Sequence, residues 1–237
     1  MQLLQVQDLG KMSYASALQL QRQSHAQVLA GRPNRGQMQL LLLEHDPQVI
    51  TVSRRPNAAQ NVLVSPQRLA DLGIECVETD RGGDVTWHGP GQLVAYPILD
   101  LERMGLRIHG YMRLLEATVI QLLADFGVES HRDSAATGVW VRAKNQEGNM
   151  KICAMGVRVS RWVCMHGLAL NVSPDLDAFK LIVPCGLAQR GVTSMRECLG
   201  EKCPSMDEVK EHLARILAQA VASHIAAEIN PAGQVPS

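Results

Sequence analysis

Arg81-Gly82-Gly83-Asp84-Val85-Thr86-Trp87-His88-Gly89-Pro90-Gly91-Gln92 places four glycines in twelve residues and runs straight into an apolar segment at 93–99. Glycine-rich backbone exposes N–H groups and lets a ligand approach without interference from a Cβ. A tight turn before a strand uses the same glycines, but Arg, Thr, Trp, His and Gln set among them favour a binding loop. The stretch matches neither G-x-x-x-x-G-K-[ST] nor a G-x-G-x-x-G that opens a helix, so it lends no support to a nucleotide triphosphate site.

Outward from this stretch the chain alternates strand and helix patterns. Tyr14, Ala17, Leu18, His25, Val28 and Leu29 share one helical face, with Gly31 in the position of a C-terminal glycine. The apolar runs at 38–43 and 49–52, separated by Asp46-Pro47, predict a hairpin or tight connection between buried strands. Ser65-Pro66 supplies an N-cap and a first-turn proline for a short helix closed by Gly73, ahead of a strand at 74–77. Tyr111, Leu114, Leu115, Thr118, Val119, Leu122, Leu123 and Phe126 form the clearest helical stripe, stopped by Gly127. Strands are predicted at 137–141, 152–159 and 163–172, and a last helix opens with the capping box Ser205 to Glu208. Short-range and helix-separated strands together predict a mixed sheet with helices against it, in one domain over 1–237 with a flexible tail at 230–237.

Composition narrows the function. With 46% apolar and 19% charged residues in 237, disordered and fibrous classes drop out. Lys plus Arg equals Asp plus Glu at 23 each, which removes the charge excess that nucleic acid or anionic membrane binding relies on. No apolar stretch approaches the ~20 residues that span a bilayer, and the first ten residues lack the basic start of a secretory leader. A soluble, cytoplasmic protein is expected. Six cysteines (76, 153, 164, 185, 198, 203) contain no C-x-x-C pair. Reduced thiols are expected, and Cys198 with Cys203 lacks the second half of a metal set.

Of these, Cys76, Cys153 and Cys164 lie in strand-like apolar stretches where cysteine behaves as a small hydrophobe. Cys185 sits between Pro184 and Gly186 and is the nucleophile candidate, against the alternative of one more inert thiol. A thiol of pKa ~8.5 needs a nearby cation or N–H array to ionise at neutral pH, and Lys151 or His88 are the candidates. Lys151 opens the strand Lys-Ile-Cys-Ala-Met-Gly-Val-Arg-Val, where the ordinary reading is a solvated end residue. Gly156 on that strand and Gly167 in the next run mark places where another chain or a substrate comes close.

Four segments, in order, are shared with one family. The 81–92 loop, Lys151 with Ala154-Met155-Gly156, His166-Gly167-Leu168-Ala169-Leu170-Asn171-Val172, and Pro184-Cys185-Gly186 together resemble the lipoyl(octanoyl) transferase family. The departures are Trp87 where the family often has tyrosine, and Cys164-Met165 ahead of His166. The resemblance implies an α/β (α+β) fold, a mixed β-sheet flanked by helices, as in biotin/lipoate protein ligase-like catalytic domains. It implies that Cys185 is the acyl-thioester nucleophile and that Lys151 lowers its pKa. It further implies that Arg81, Gly82, Gly83, Asp84, Val85, Thr86, Trp87 and His88, with Ala154, Met155 and Gly156 and with Gly167, Leu168 and Ala169, line the acyl pocket. The implied reaction moves octanoyl from octanoyl-acyl carrier protein to a lysine of lipoyl domains, those of 2-oxoacid dehydrogenase complexes and the glycine cleavage H protein. No cofactor or metal is implied, and neither nucleic acid nor membrane is a partner.

Three other readings compete. An ATP-dependent lipoate or biotin protein ligase on the same fold would need no cysteine. A catalytically silent carrier-binding module would need neither Cys185 nor Lys151, and a thioesterase would pass the acyl group to water. Arg54-Arg55 and Arg158 with Arg161 are candidate contacts for an acidic partner, or simply a solvated face.

Overall fold

In the computed structural model, which describes residues 3–143, 148–183 and 190–229, the chain runs β1 (Leu4–Met12), α1 (Tyr14–Gly31), β2 (Met38–His45), β3 (Val49–Ser53), α2 (Pro66–Asp71), β4 (Glu75–Thr79), β5 (Val85–His88), β6 (Gln92–Ile98), α3 (Ile108–Asp125), β7 (His131–Arg132), β8 (Val139–Arg142), β9 (Asn149–Ser160), β10 (Val163–Asn171), α4 (Met195–Leu199) and α5 (Met206–Ile229). Seven strands form one sheet in the order β1-β2-β6-β10-β9-β8-β7, and three form a second in the order β4-β3-β5. In the larger sheet β1 runs parallel to β2 and the other neighbours are antiparallel. This is the mixed, helix-flanked sheet that the sequence predicts.

The continuous apolar runs have a physical reason. Every residue of β6 and β10 is buried, as is all of β2 except Glu44, so these strands are covered on both faces and cannot alternate with polar residues. α3 buries the predicted stripe, and Gly127 at φ +78 ends it. α5 opens with the full capping box: Ser205 N donates to Glu208 Oε2 at 2.8 Å and Glu208 N to Ser205 Oγ at 3.3 Å. Its apolar face joins the main core with α1, α3 and the large sheet. Ser65 caps α2 by accepting from Arg68 N. A second, smaller core gathers Ile50, Leu69, Ile74, Val85, Trp87, Phe179 and Ile182 around the three-stranded sheet.

Two expectations are corrected. Of the two connections expected between the buried strands β2 and β3, the structure has the tight one and not the hairpin: after Asp46-Pro47 the chain leaves one sheet for the other. Gly31 is right-handed at φ −75, and its small size serves the approach of Gly36, whose own Cβ would lie 3.0 Å from Gly31 Cα. β1 went unassigned because it is an edge strand with an incompletely buried face, so its alternation is faint. The expected tail at 230–237 lies outside the described residues.

Candidate active site

The glycine-rich stretch is not one loop. Residues 85–88 form β5, which pairs antiparallel with β3, leaving a loop before it and a turn after it. β5 alternates faces, so Trp87 enters the smaller core, packs edge-on against Phe179 at 5.3 Å and donates from Nε1 to Gln48. Thr86 and His88 face the other way.

What they face is a cavity of ≈ 490 Å³, its open mouth included. Its opposite wall is built by two glycines paired across β9 and β10, Gly156 and Gly167. A Cβ on Gly167 would overlap the Ala95 carbonyl of β6, and one on Gly156 would lie 2.5 Å from the Gly82 carbonyl. These glycines therefore admit neighbouring chain, as one of the two sequence readings had it. Of the residues expected at the acyl pocket, Arg81, Gly83, Val85, Thr86, His88, Ala154, Met155, Gly156, Gly167, Leu168 and Ala169 line this cavity. Gly82 and Asp84 line an adjoining outer cleft together with Lys151, and that cleft shares Gly83, Met155 and Gly156 with the inner cavity. Trp87 lines neither cavity.

The inner cavity carries rings that the sequence reading missed. Tyr14 and Tyr96 line it, and His45 lies beside them, its ring centroid 5.5 Å from that of Tyr14 and 5.5 Å from that of His88. His45 Nδ1 lies 3.0 Å from the Met12 carbonyl, which can only accept, so Nδ1 carries the proton and Nε2 accepts from the Tyr96 hydroxyl at 2.8 Å. Burial pushes His45 down to about 4, against the pull of the Met12 carbonyl. Burial also lowers His88 well below its ordinary value, with His45 adding to the effect, and raises Tyr96 well above its own. The site is lined by neutral rings at neutral pH. A polar ring inside a continuous apolar run, as at Tyr96, was the available signal; His45 and Tyr14 come from distant segments and gave none.

His166, quoted in the motif but not expected to line the pocket, does line it. Its backbone is left-handed at φ +58 inside β10, an uncommon conformation for a residue with a Cβ. Gln21 accepts from its N–H at 2.8 Å, and its Nε2 lies 2.8 Å from Asp80 Oδ1. Burial outweighs Asp80 and lowers the imidazole, so the contact is a neutral N–H donating to a carboxylate. Asp80 also binds Arg158 at 2.6 Å, and Arg54 pairs with Glu78. Two of the arginines offered for an acidic partner thus already have carboxylates.

Lys151 is not a solvated strand end: it is 7% exposed, with its ammonium 4.7 Å from the centroid of the Trp140 ring. Its backbone N–H donates to Gly191 and its carbonyl accepts from Thr193, so 191–193 run alongside it. A buried relay ties this strand to β5. His88 Nδ1 donates to Gln92 Oε1 at 2.7 Å, Gln92 Nε2 donates to the Trp87 carbonyl and to Asn171 Oδ1, and Asn171 Nδ2 donates to the Thr193 carbonyl. The Trp87 carbonyl fixes the Gln92 amide orientation, and that in turn fixes His88 as donor at Nδ1 and acceptor at Nε2. Pro184, Cys185 and Gly186 lie outside the described residues; Val183, before them, donates its N–H to the Asn61 carbonyl.

Residues 13–218 match the family described as lipoyl protein ligase A/B catalytic domain. An octanoyltransferase of Chloroflexus aurantiacus is 48% identical over 217 residues, covering 90% of this chain and 92% of that protein. One of Flavobacterium johnsoniae is 42% identical over 222 residues, covering 90% and 94%. Among solved structures, the bipartite lipoate protein ligase of Thermoplasma acidophilum superposes with a TM-score of 0.69 at 16% identity, covering 94% of this chain and 85% of that one.

Proposed function

Because the chain belongs to the lipoyl protein ligase A/B catalytic domain family, with octanoyltransferases among its relatives, we propose that it transfers octanoyl from an acyl carrier protein thioester to a lysine of lipoyl domains, through a thioester on Cys185. The observation that carries this reading is the buried Lys151, which lines the outer cleft that shares Gly83, Met155 and Gly156 with the inner cavity. A lysine in that position is available to a reacting carbonyl whose alkyl chain lies in the inner cavity. Gly191, hydrogen-bonded to Lys151, and Val183, held by Asn61, flank the segment that carries Cys185.

In this scheme the Lys151 ammonium stabilises the Cys185 thiolate, which attacks the donor thioester. The carrier thiolate leaves and takes the proton of Lys151, so the acyl group rests on Cys185 and Lys151 is neutral. The acceptor lysine amine then attacks the acyl-enzyme and gives a proton to Lys151. Cys185 leaves as thiolate, and the starting ion pair is restored. Exchange between similar thioesters is near balance, so the first step needs no ATP. The apolar side chains of Val94, Met155, Leu168 and Ala169 on the wall of the inner cavity suit an alkyl chain. 2-Oxoacid dehydrogenase complexes and the glycine cleavage H protein carry the proposed acceptor domains.

An ATP-dependent ligase is the second reading, because the Thermoplasma protein that shares the fold is described as a lipoate protein ligase. Intact mass after incubation with octanoyl-carrier protein, without ATP, separates the two. A hydroxylamine-labile, octanoyl-sized increment on wild type and not on Cys185→Ala is the expected result. Acylation of a lipoyl domain only when ATP is supplied would overturn the transferase reading.

A further inference from the structure

The inner cavity has a graded floor. Paired residues of neighbouring strands share a face of the sheet, so Ala154 and Gly156 on β9, Gly167 and Ala169 on β10, and Val94 on β6 lie on one side, with Tyr96 two residues beyond Val94 on that same side. All six line the cavity. On this face β9 and β10 contribute glycine and alanine to the lining, and β6 rises from it with a valine and a tyrosine. On the next strand, β2, the partners of Val94 and Tyr96 are Leu43 and Leu41, which are buried in the main core and lie beyond the lining. The cavity thus crosses two strand intervals and ends against β6.

Its open side is the opposite one. Gly83, Met155 and Gly156 belong both to the cavity and to the outer cleft that Lys151 lines, so a thioester held in that cleft sends its alkyl chain from β9 toward β6. Strands lie ~4.8 Å apart, which puts β6 about 10 Å from β9. An extended chain of eight carbons, at ordinary bond lengths and angles, is about 9 Å long. Two further carbons add about 2.5 Å, in space that the side chains of Val94 and Tyr96 already occupy.

The stop is a firm one. Val94 is 1% exposed, and its β-branched side chain is confined at χ1. Tyr96 donates to the buried His45 at 2.8 Å, and Tyr14, on the same cavity, donates to Thr79 at 2.7 Å. Neither ring can swing aside without leaving a buried hydroxyl unpaired.

We propose that Val94, backed by Tyr96, sets the upper limit of acyl-chain length by meeting the terminal methyl of an eight-carbon chain. The inference rests on the reading of the protein as an acyltransferase whose acyl group lies in this cavity. A smaller side chain at position 94 lengthens the slot and a larger one shortens it, so the two changes displace the preference in opposite directions. A residue that merely filled the core would, when changed, affect all donors alike.

The test is kcat/KM for transfer from hexanoyl-, octanoyl-, decanoyl- and dodecanoyl-carrier protein to a lipoyl domain by wild type, Val94→Ala and Val94→Leu, with thermal melting beside it. Val94→Ala is expected to raise the decanoyl-to-octanoyl ratio about 10-fold, and Val94→Leu to raise the hexanoyl-to-octanoyl ratio by about the same factor. Length profiles unchanged from wild type would overturn the proposal. Should either variant fail to fold, the other decides alone: a profile displaced in the stated direction supports the proposal, and an unmoved one overturns it. A wild type that transfers no acyl group from any of the four donors removes the transferase reading itself, whereas transfer by wild type with unmoved profiles in the variants removes only the role of Val94.

Discussion

Lowering the pH should unfold this protein in a way that one substitution relieves. His45 is completely buried, and burial pushes its imidazole down to about 4 from 6.5. Between those values the unfolded chain takes up a proton that the folded chain refuses, so the stability is complete above about pH 6.5 and is lost as the pH falls toward 4. The separation of about 2.5 pH units corresponds to a limiting effect of about 3 kcal/mol, and roughly 2 kcal/mol of it is already lost at about pH 5. His45→Gln keeps a donor for the Met12 carbonyl and an acceptor for the Tyr96 hydroxyl but cannot titrate. Urea denaturation of both proteins at about pH 7.5 and about pH 5 measures the difference. Wild type should lose about 2 kcal/mol more than the variant across that interval, while the same-signed contribution of His166 remains common to both. Equal losses, or a His45 resonance that titrates near pH 6.5, would refute the reasoning.

Gly167→Ala should cost about 1–3 kcal/mol by overpacking against the Ala95 carbonyl and should narrow the inner cavity, which a fall in melting temperature together with a raised KM for the octanoyl donor would show. Ser205→Ala removes the cap of α5, where Ser205 Oγ accepts from Glu208 N, at a cost of about 1 kcal/mol in urea denaturation with kcat unchanged.

Elements with a repeating stripe and their own end signals were legible: α3 from its buried face and Gly127, α5 from Ser205 and Glu208. The connection at Asp46-Pro47 was not, because two apolar runs joined by a turn read alike whether the second strand pairs with the first or crosses to another sheet. The candidate site divided along the same line. Thr86, His88, Ala154, Met155, Gly156, Gly167, Leu168 and Ala169 line one cavity together, since a motif carries its own geometry. Trp87 stands apart from them in the smaller core, because the motif contains a strand and alternate residues of a strand face opposite ways. Tyr14, His45 and Tyr96 meet only through the packing of α1, β2 and β6, and no local pattern announces such a meeting. Lys151 was ambiguous by position, and its burial comes from Trp140 and from residues 191–193, which are not its sequence neighbours.

β9 carries Lys151 and the cavity wall at Ala154, Met155 and Gly156 on one uninterrupted strand. At ~3.3 Å per residue, three to five steps separate the ammonium-bearing position from that wall by about 10–17 Å along the strand. One inserted or deleted residue between them would turn Lys151 to the opposite face relative to the wall. Between Lys151 and Gly156, which chemistry and the close Gly82 carbonyl hold in place, substitutions that keep the register remain open, but changes in length do not: across descendants of this protein, residues 152–155 can drift in composition and are barred from drifting in number.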